Sequence, residues 1–282
     1  MPAAHAKSLQ VMKKGMVLIM INLLKSDFYR LFRSKAFYIC TLVLVVLTCG
    51  SAFLIDWSFR ALSASGEAAN MPMSSIKDGL SYGLQIFTGG NVPLFISIFI
   101  AIFVTGEFTH GTMKNVVSKG FDKISIYLSK VISMIAATYI MIFVTFIFSF
   151  FTATIISGKF GTLTASYFGE IIRMVGIELL LFAALASSFV MISMLVRNIG
   201  GVIAINIIGI LSFLPMIYQL LELLFKNKIH FTYYELQFNM NIYNTNLSPS
   251  LEDIIRSIIV GVAYLAVTTL IGVYFFKKSD IK

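Results

Sequence analysis

The side chains able to do chemistry in this sequence are few, and they are thickest in one segment between two apolar runs: Glu107-Phe-Thr-His110-Gly111-Thr112-Met-Lys114-Asn-Val116-Val117-Ser118-Lys119-Gly120-Phe-Asp-Lys123-Ile-Ser-Ile-Tyr-Leu-Ser-Lys130. Two acids, several lysines and two glycines give no nucleophile with a matching base, so the segment does not suggest a reaction. Its length suits a helical extension, a turn at Gly111, a short helix and a second turn at Gly120. Such a bent connector can sit in a groove on a partner and pass the partner's movement to the attached helices.

A second feature is Glu178, inside an apolar run, with Arg173 five residues earlier and Glu170 at the start of the run. An ionisable group in lipid must face protein or water. Glu178 and Arg173 therefore either line a transport path, or Glu178 forms a structural tie, to Arg173 or to another helix. The rest of the inventory excludes reactions. His5, His110 and His230 lie on separate segments, and His110 and His230 are expected on opposite membrane sides. They build no metal site and no Ser-His-Asp arrangement. Cys40 and Cys49 fall within one apolar run and read as small hydrophobes. No Gly-x-x-x-x-Gly-Lys-Ser/Thr run is present to cradle phosphates. The chain is therefore expected to be neither an enzyme nor its own ATPase.

The elements that must position these residues follow from composition. Of the 282 residues, 58% are apolar and 12% charged, against roughly 45–50% and about 25% in soluble domains. So little charge implies that lipid is the solvent. The net charge of +9 does not indicate nucleic acid, because the basic residues sit in short segments between apolar runs.

Six stretches have the length of a membrane span: Ala36–Ile55, a segment ending at Thr105, Val131–Ile156, Ile171–Val196, Gly201–Phe225 and Ile254–Phe276. The second is interrupted by Gly89, Gly90 and Pro93, so a break is expected there. It is either a kinked span or a short re-entrant piece, and Asn91 is placed to cap the helix that follows. Before the first span, Val17, Met20, Ile21, Leu24, Phe28, Leu31 and Phe32 recur at helical spacing. Asn22, Lys25, Arg30 and Arg33 lie off that stripe. This predicts an amphipathic helix in the headgroup plane.

Lys7, Lys13, Lys14, Lys25, Arg30, Arg33, Lys35, Lys114, Lys119, Lys123, Lys130, Arg197, Lys277, Lys278 and Lys282 fall on one side of this topology. Arg60, Lys77, Lys159, Lys226 and Lys228 fall on the other. That asymmetry puts both termini in the cytoplasm. The outer loops are then about 56–83, 157–169 and 226–253, the last rich in asparagine and turn-forming. The expected architecture is an all-α membrane protein with one domain over 1–282: a cytoplasmic segment with an interfacial helix (1–35), six spans (36–276) and a cytoplasmic tail (277–282).

The 107–130 segment resembles the ABC-2 type transporter permeases. That family has a Glu after its second span, then Gly-Thr, a short apolar pair and a Lys opening the third span. Glu107, Gly111, Thr112, Val116, Val117 and Lys130 fit these places. The family often has Leu-Leu followed by Pro and Arg, where this chain has Val-Val, Ser118-Lys119-Gly120 and Lys123. The basic amphipathic start, six spans and large last outer loop extend the likeness over the whole chain. The resemblance implies an ABC-2, type V exporter-like fold. It implies a coupling helix formed by Glu107, Gly111, Thr112, Lys114, Val116, Val117 and Ser118, with Glu107 contacting the transmission interface.

It also implies two copies of a separate ATPase subunit holding ATP and Mg, a second copy of this chain, and a bacterial plasma membrane. This chain itself would bind no cofactor. The 26 Phe and 14 Met residues would suit a greasy pathway for amphipathic, antimicrobial or cytolytic peptides. Drugs, lipids and ions stay open as cargo, and so does an ATP-independent secondary transporter. A membrane enzyme is disfavoured by the missing site.

Overall fold

The computed structural model describes residues 20–64, 76–162, 164–225, 228–245 and 248–279. Among the described residues the chain is built from helices alone, and six are long and apolar enough to cross a membrane. A first helix, α1, covers residues 20–33. The six long ones are α2 (Lys35–Ala64), α4 (Val92–Thr109), α6 (Lys123–Ser157), α7 (Ala165–Val196), α8 (Ile199–Leu224) and α10 (Leu251–Lys278). Shorter helices fill the gaps: α3 (Gly79–Leu84), α5 (Thr112–Ser118) and α9 (Leu236–Thr245).

Every expected span is present, and the helices overrun the apolar windows that signalled them. Helical hydrogen bonding continues past the hydrocarbon limit, whereas apolar composition stops there. The largest overrun is in α2, which takes nine residues from the expected first outer loop by continuing from Ile55 to Ala64.

The core lies on α4 and α7. In their most apolar windows 61% and 67% of residues are buried, against 11% in α8 and 22% in α2 and α10. The peripheral helices keep their large side chains outward, among them Leu42, Val46, Leu54, Leu220, Leu223, Ile259 and Leu270. Small and hydroxyl side chains let the inner helices approach. Thr268 of α10 donates to Ser187 of α7 at 2.9 Å. Tyr127 of α6 is buried against Gly272 of α10, where a side chain would collide with the phenol.

The interrupted second span is a broken span, not a re-entrant piece. Gly79 N–H donates to the Lys159 carbonyl at 3.0 Å. Gly83 lies against Phe146 and Phe150. Phe87, in a short 3-10 turn over Gln85–Thr88, packs on Phe143 and Phe146. Glu107 meets Lys130 at 2.5 Å. Rising numbers in 79–107 thus meet falling numbers in α6, so the segment runs antiparallel to α6 along nearly its whole length. The break falls at Gly89 and Gly90, whose φ values of 100° and 50° lie in the region that favours glycine. Pro93 sits in the first turn of α4, as expected. Asn91, however, makes no side-chain cap; instead Val92 N–H donates to the Gly89 carbonyl at 3.1 Å.

The amphipathic stretch is helical over 20–33, and Val17 lies outside the described residues. Its stripe divides. Leu24, Phe28 and Leu31 turn toward the bundle, while Ile21 and Phe32 are exposed. The last expected outer loop also holds an element that its asparagines concealed. In α9, Leu236, Met240 and Tyr243 are buried at helical spacing. Asn239 anchors this helix by donating to the Tyr233 and Glu235 carbonyls at 2.9 and 2.7 Å and accepting from Ser257 of α10 at 3.1 Å.

Candidate functional site

The elbow between α4 and α6 takes the shape its glycines require. Glu107 lies in the last turn of α4. Gly111, at φ 68°, reverses the chain, and the Thr112 hydroxyl fastens the turn by donating to the Glu107 carbonyl at 3.1 Å. α5 follows as two turns, about 10 Å long at 1.5 Å per residue. Met113 is buried beneath it, Val116 and Val117 are half-buried, and Lys114, Asn115, Ser118 and Lys119 face outward. Gly120, at φ 80°, makes the second turn before α6 starts at Lys123. The Lys123 ammonium donates to the Lys277 and Ser279 carbonyls at 3.2 and 2.9 Å, so the end of α10 is tied to the same corner.

Behind the elbow is a buried chain of alternating charges. Lys130 on α6 contacts both Asp27 of α1 and Glu107 of α4, the latter at 2.5 Å. Arg30 of α1 reaches the same Glu107 oxygen at 2.6 Å, and the Ser129 hydroxyl donates to Asp27 at 2.7 Å. Asp27, Glu107 and Lys130 are 5%, 1% and 4% exposed. The Phe103 ring lies beneath both cations, 5.5 Å from the Arg30 guanidinium and 5.9 Å from the Lys130 ammonium. Two acids and two bases cancel in charge and satisfy one another, which is the condition for burying charge without a large penalty. The cluster fixes α1 to α4 and α6 at the root of the elbow.

This geometry revises the role expected of Glu107. In this chain it is enclosed by its own helices, paired with Lys130 and Arg30, and braces the elbow from behind. The outward positions are Lys114 and Ser118, with Gly111 and Thr112 at the turn and Val116 and Val117 on the inner side. Residues that sequence reasoning passed over complete the site. Asp27 was hidden in a basic stretch, and Arg30 counted for topology and for the polar side of the amphipathic helix, not as a partner of Glu107. The available signal was register: Asp27 lies four residues from both Leu23 and Leu31, on the inward stripe.

The other expected pair comes apart. Glu178 is fully buried, and neither carboxyl oxygen has a hydrogen-bond partner among the described residues. Arg173 is exposed and directs its guanidinium to Ser248 at 3.4 Å. A separation of five residues puts the two about 140° apart around a helix, so the tie between them is ruled out. The elements around Glu178 contribute hydroxyls. Tyr139 of α6 donates to the Leu179 carbonyl at 2.9 Å. The hydroxyl of Tyr243, on α9, is itself buried without a hydrogen-bond partner among the described residues. Burial, and then the neighbouring Glu178, pushes the Tyr243 phenol up to about 12. Next to it, Asn244 accepts from Thr88, just before the break in the second span.

A family of proteins of unknown function, DUF2705, matches residues 43–282, and the chain belongs to it. No curated protein matches the chain.

Proposed function

We propose that this member of the DUF2705 family is the membrane-spanning permease subunit of an ATP-driven exporter of the ABC-2 type, with both termini in the cytoplasm of a bacterial cell. The observation that carries the reading is the braced elbow. A short helix with an outward polar face sits between two glycine turns, backed by the Asp27, Lys130, Glu107 and Arg30 cluster. A load applied to α5 reaches α1, α4 and α6 together, because buried charged groups resist separation. That is the property a coupling helix needs in rigid-body gating.

On this reading two copies of a separate ATPase subunit hold ATP and Mg and grip α5 through Lys114 and Ser118. A second copy of this chain covers part of the apolar surface left by α2, α8 and α10. The cargo is an amphipathic peptide of antimicrobial or cytolytic kind, passing along a surface rich in phenylalanine and methionine. The test is reconstitution with the co-purified ATPase in liposomes. Lys114→Glu combined with Ser118→Glu lowers cargo-stimulated ATP hydrolysis severalfold and leaves the thermal unfolding of the permease unchanged. Unchanged stimulation in that variant contradicts the assignment.

One observation favours a second reading. An unpartnered carboxyl group in an apolar bundle is the signature of ion-coupled transporters. Uptake or efflux driven by an ion gradient in liposomes holding only this chain, and lost in Glu178→Gln, would select it.

A further inference from the structure

The geometry points to a binding pocket for the phosphate of an anionic phospholipid, between α1 and the lower part of α4. The pocket has a volume of about 290 Å³ and is lined by Tyr29, Arg30, Arg33, Ser34, Ile102, Phe103, Gly106 and His110. Five of these side chains carry hydrogen-bond donors suited to phosphate: the guanidiniums of Arg30 and Arg33, the hydroxyls of Tyr29 and Ser34, and the imidazole of His110. No carboxylate lines it.

The charges are not equivalent. Arg30 is engaged by Glu107 at 2.6 Å, which fixes its position and offsets its charge. Arg33 has no carboxylate partner among the described residues. Its guanidinium lies 4.6 Å over the Tyr29 ring, which holds it in place without neutralising it. Arg33 is therefore the uncompensated cation of the pocket, and a planar guanidinium matches two phosphate oxygens at once.

The surroundings favour a lipid source over a free ion. The pocket lies where α1 gives way to α2, and Ser34 separates the two helices. Phe32 on the outer face of α1 and Tyr38, Ile39 and Leu42 on the first turns of α2 are all half or more exposed. A headgroup seated on Arg33 thus has apolar surface beside it for its acyl chains. Arginine at the end of an apolar helix, with aromatic residues at the same level, is the usual composition of a lipid interface. The inference needs α1 to lie in the headgroup layer and needs no ATPase, so its failure would leave the coupling proposal standing.

Native mass spectrometry of the protein released from nanodiscs of equal phosphatidylglycerol and phosphatidylcholine tests it. The wild type retains phosphatidylglycerol in preference to phosphatidylcholine, and added inorganic phosphate does not displace it. Arg33→Gln with Ser34→Ala retains phosphatidylglycerol about tenfold less, a loss on the scale of one bidentate charged contact. Lys119→Gln, which removes a charge from the exposed elbow, retains as much as the wild type. Arg33→Lys keeps the charge without the fork and falls between the two; it supplies the readout if the double variant fails to fold. Equal retention by the Arg33 variants overturns the site, and an equal loss in Lys119→Gln reduces it to diffuse attraction. Displacement of the lipid by inorganic phosphate makes the pocket a free-anion site and refutes the lipid assignment.

Discussion

Glu107 and Glu178 are both buried glutamates on the two innermost helices, yet their surroundings are opposite. Glu107 meets Lys130 and Arg30 and is part of a four-residue chain of charges. Glu178 meets no partner among the described residues. A buried charge that is fully paired is a fixed piece of architecture, whereas a polar group left alone in an apolar interior lowers stability. On the proposed function, the first is a joint that transmits force and the second a group kept for transport. Their positions agree, since Glu107 lies at the root of the elbow and Glu178 faces α9 near the broken span.

The contrast can be broken most forcefully at Lys130. Lys130→Met leaves Asp27 and Glu107 buried with no cation between them, and we expect a loss of about 3–5 kcal/mol, read as a lowered unfolding midpoint in detergent. A loss below about 1 kcal/mol would show that the cluster is already hydrated. The opposite sign is expected at Glu178. Glu178→Met replaces a lone polar group with an apolar one of similar size and raises stability by about 1–3 kcal/mol, while transport by the assembled complex falls. A gain in stability with full transport would sharpen the assignment of Glu107 and sink that of Glu178.

Smaller effects grade the cluster. Arg30 is 38% exposed, so solvent screens its pairing with Glu107, and Arg30→Gln should cost no more than about 1 kcal/mol. Raising salt should shrink that difference but not the Lys130 difference. The smallest effect is at Glu235, outside the long helices, whose carboxyl is held above its usual range by burial. The folded state then holds this proton more tightly than the unfolded chain does. Its contribution to stability is present below the ordinary glutamate pKa and is lost as pH rises through the raised value. The opening free energy of α9, taken from hydrogen-exchange rates after division by the intrinsic rate at each pH, should fall on going from mildly acidic to neutral pH, and Glu235→Gln should remove that fall.

Much of the fold was legible because one physical rule governs it. About twenty apolar residues in sequence must form a helix in lipid, and all six long helices follow. The break at Gly89–Gly90 was readable too, since few other residues tolerate that backbone. The elbow's turns at Gly111 and Gly120 follow from the same rule. Whether the second span was broken or re-entrant depended on contacts with α6, which no local pattern encodes. The site was half legible. Glu107 and Lys130 stood out, but Asp27 acquires meaning only from Lys130, 103 residues away. α9 escaped notice because its asparagines signal turns, while Leu236, Met240 and Tyr243 share one buried face. The uncoupling of Glu178 from Arg173 follows from helix periodicity alone and was within reach of the sequence.

The most direct measurement is site-specific photo-crosslinking from Asn115, an exposed position on α5, in native membranes. The coupling account predicts an adduct with an ATPase subunit whose yield changes when nucleotide is added, and none from Lys159, on the loop that receives Gly79 at the opposite end of α6. Absence of any adduct at Asn115, in a preparation where this chain alone moves its cargo, would contradict it.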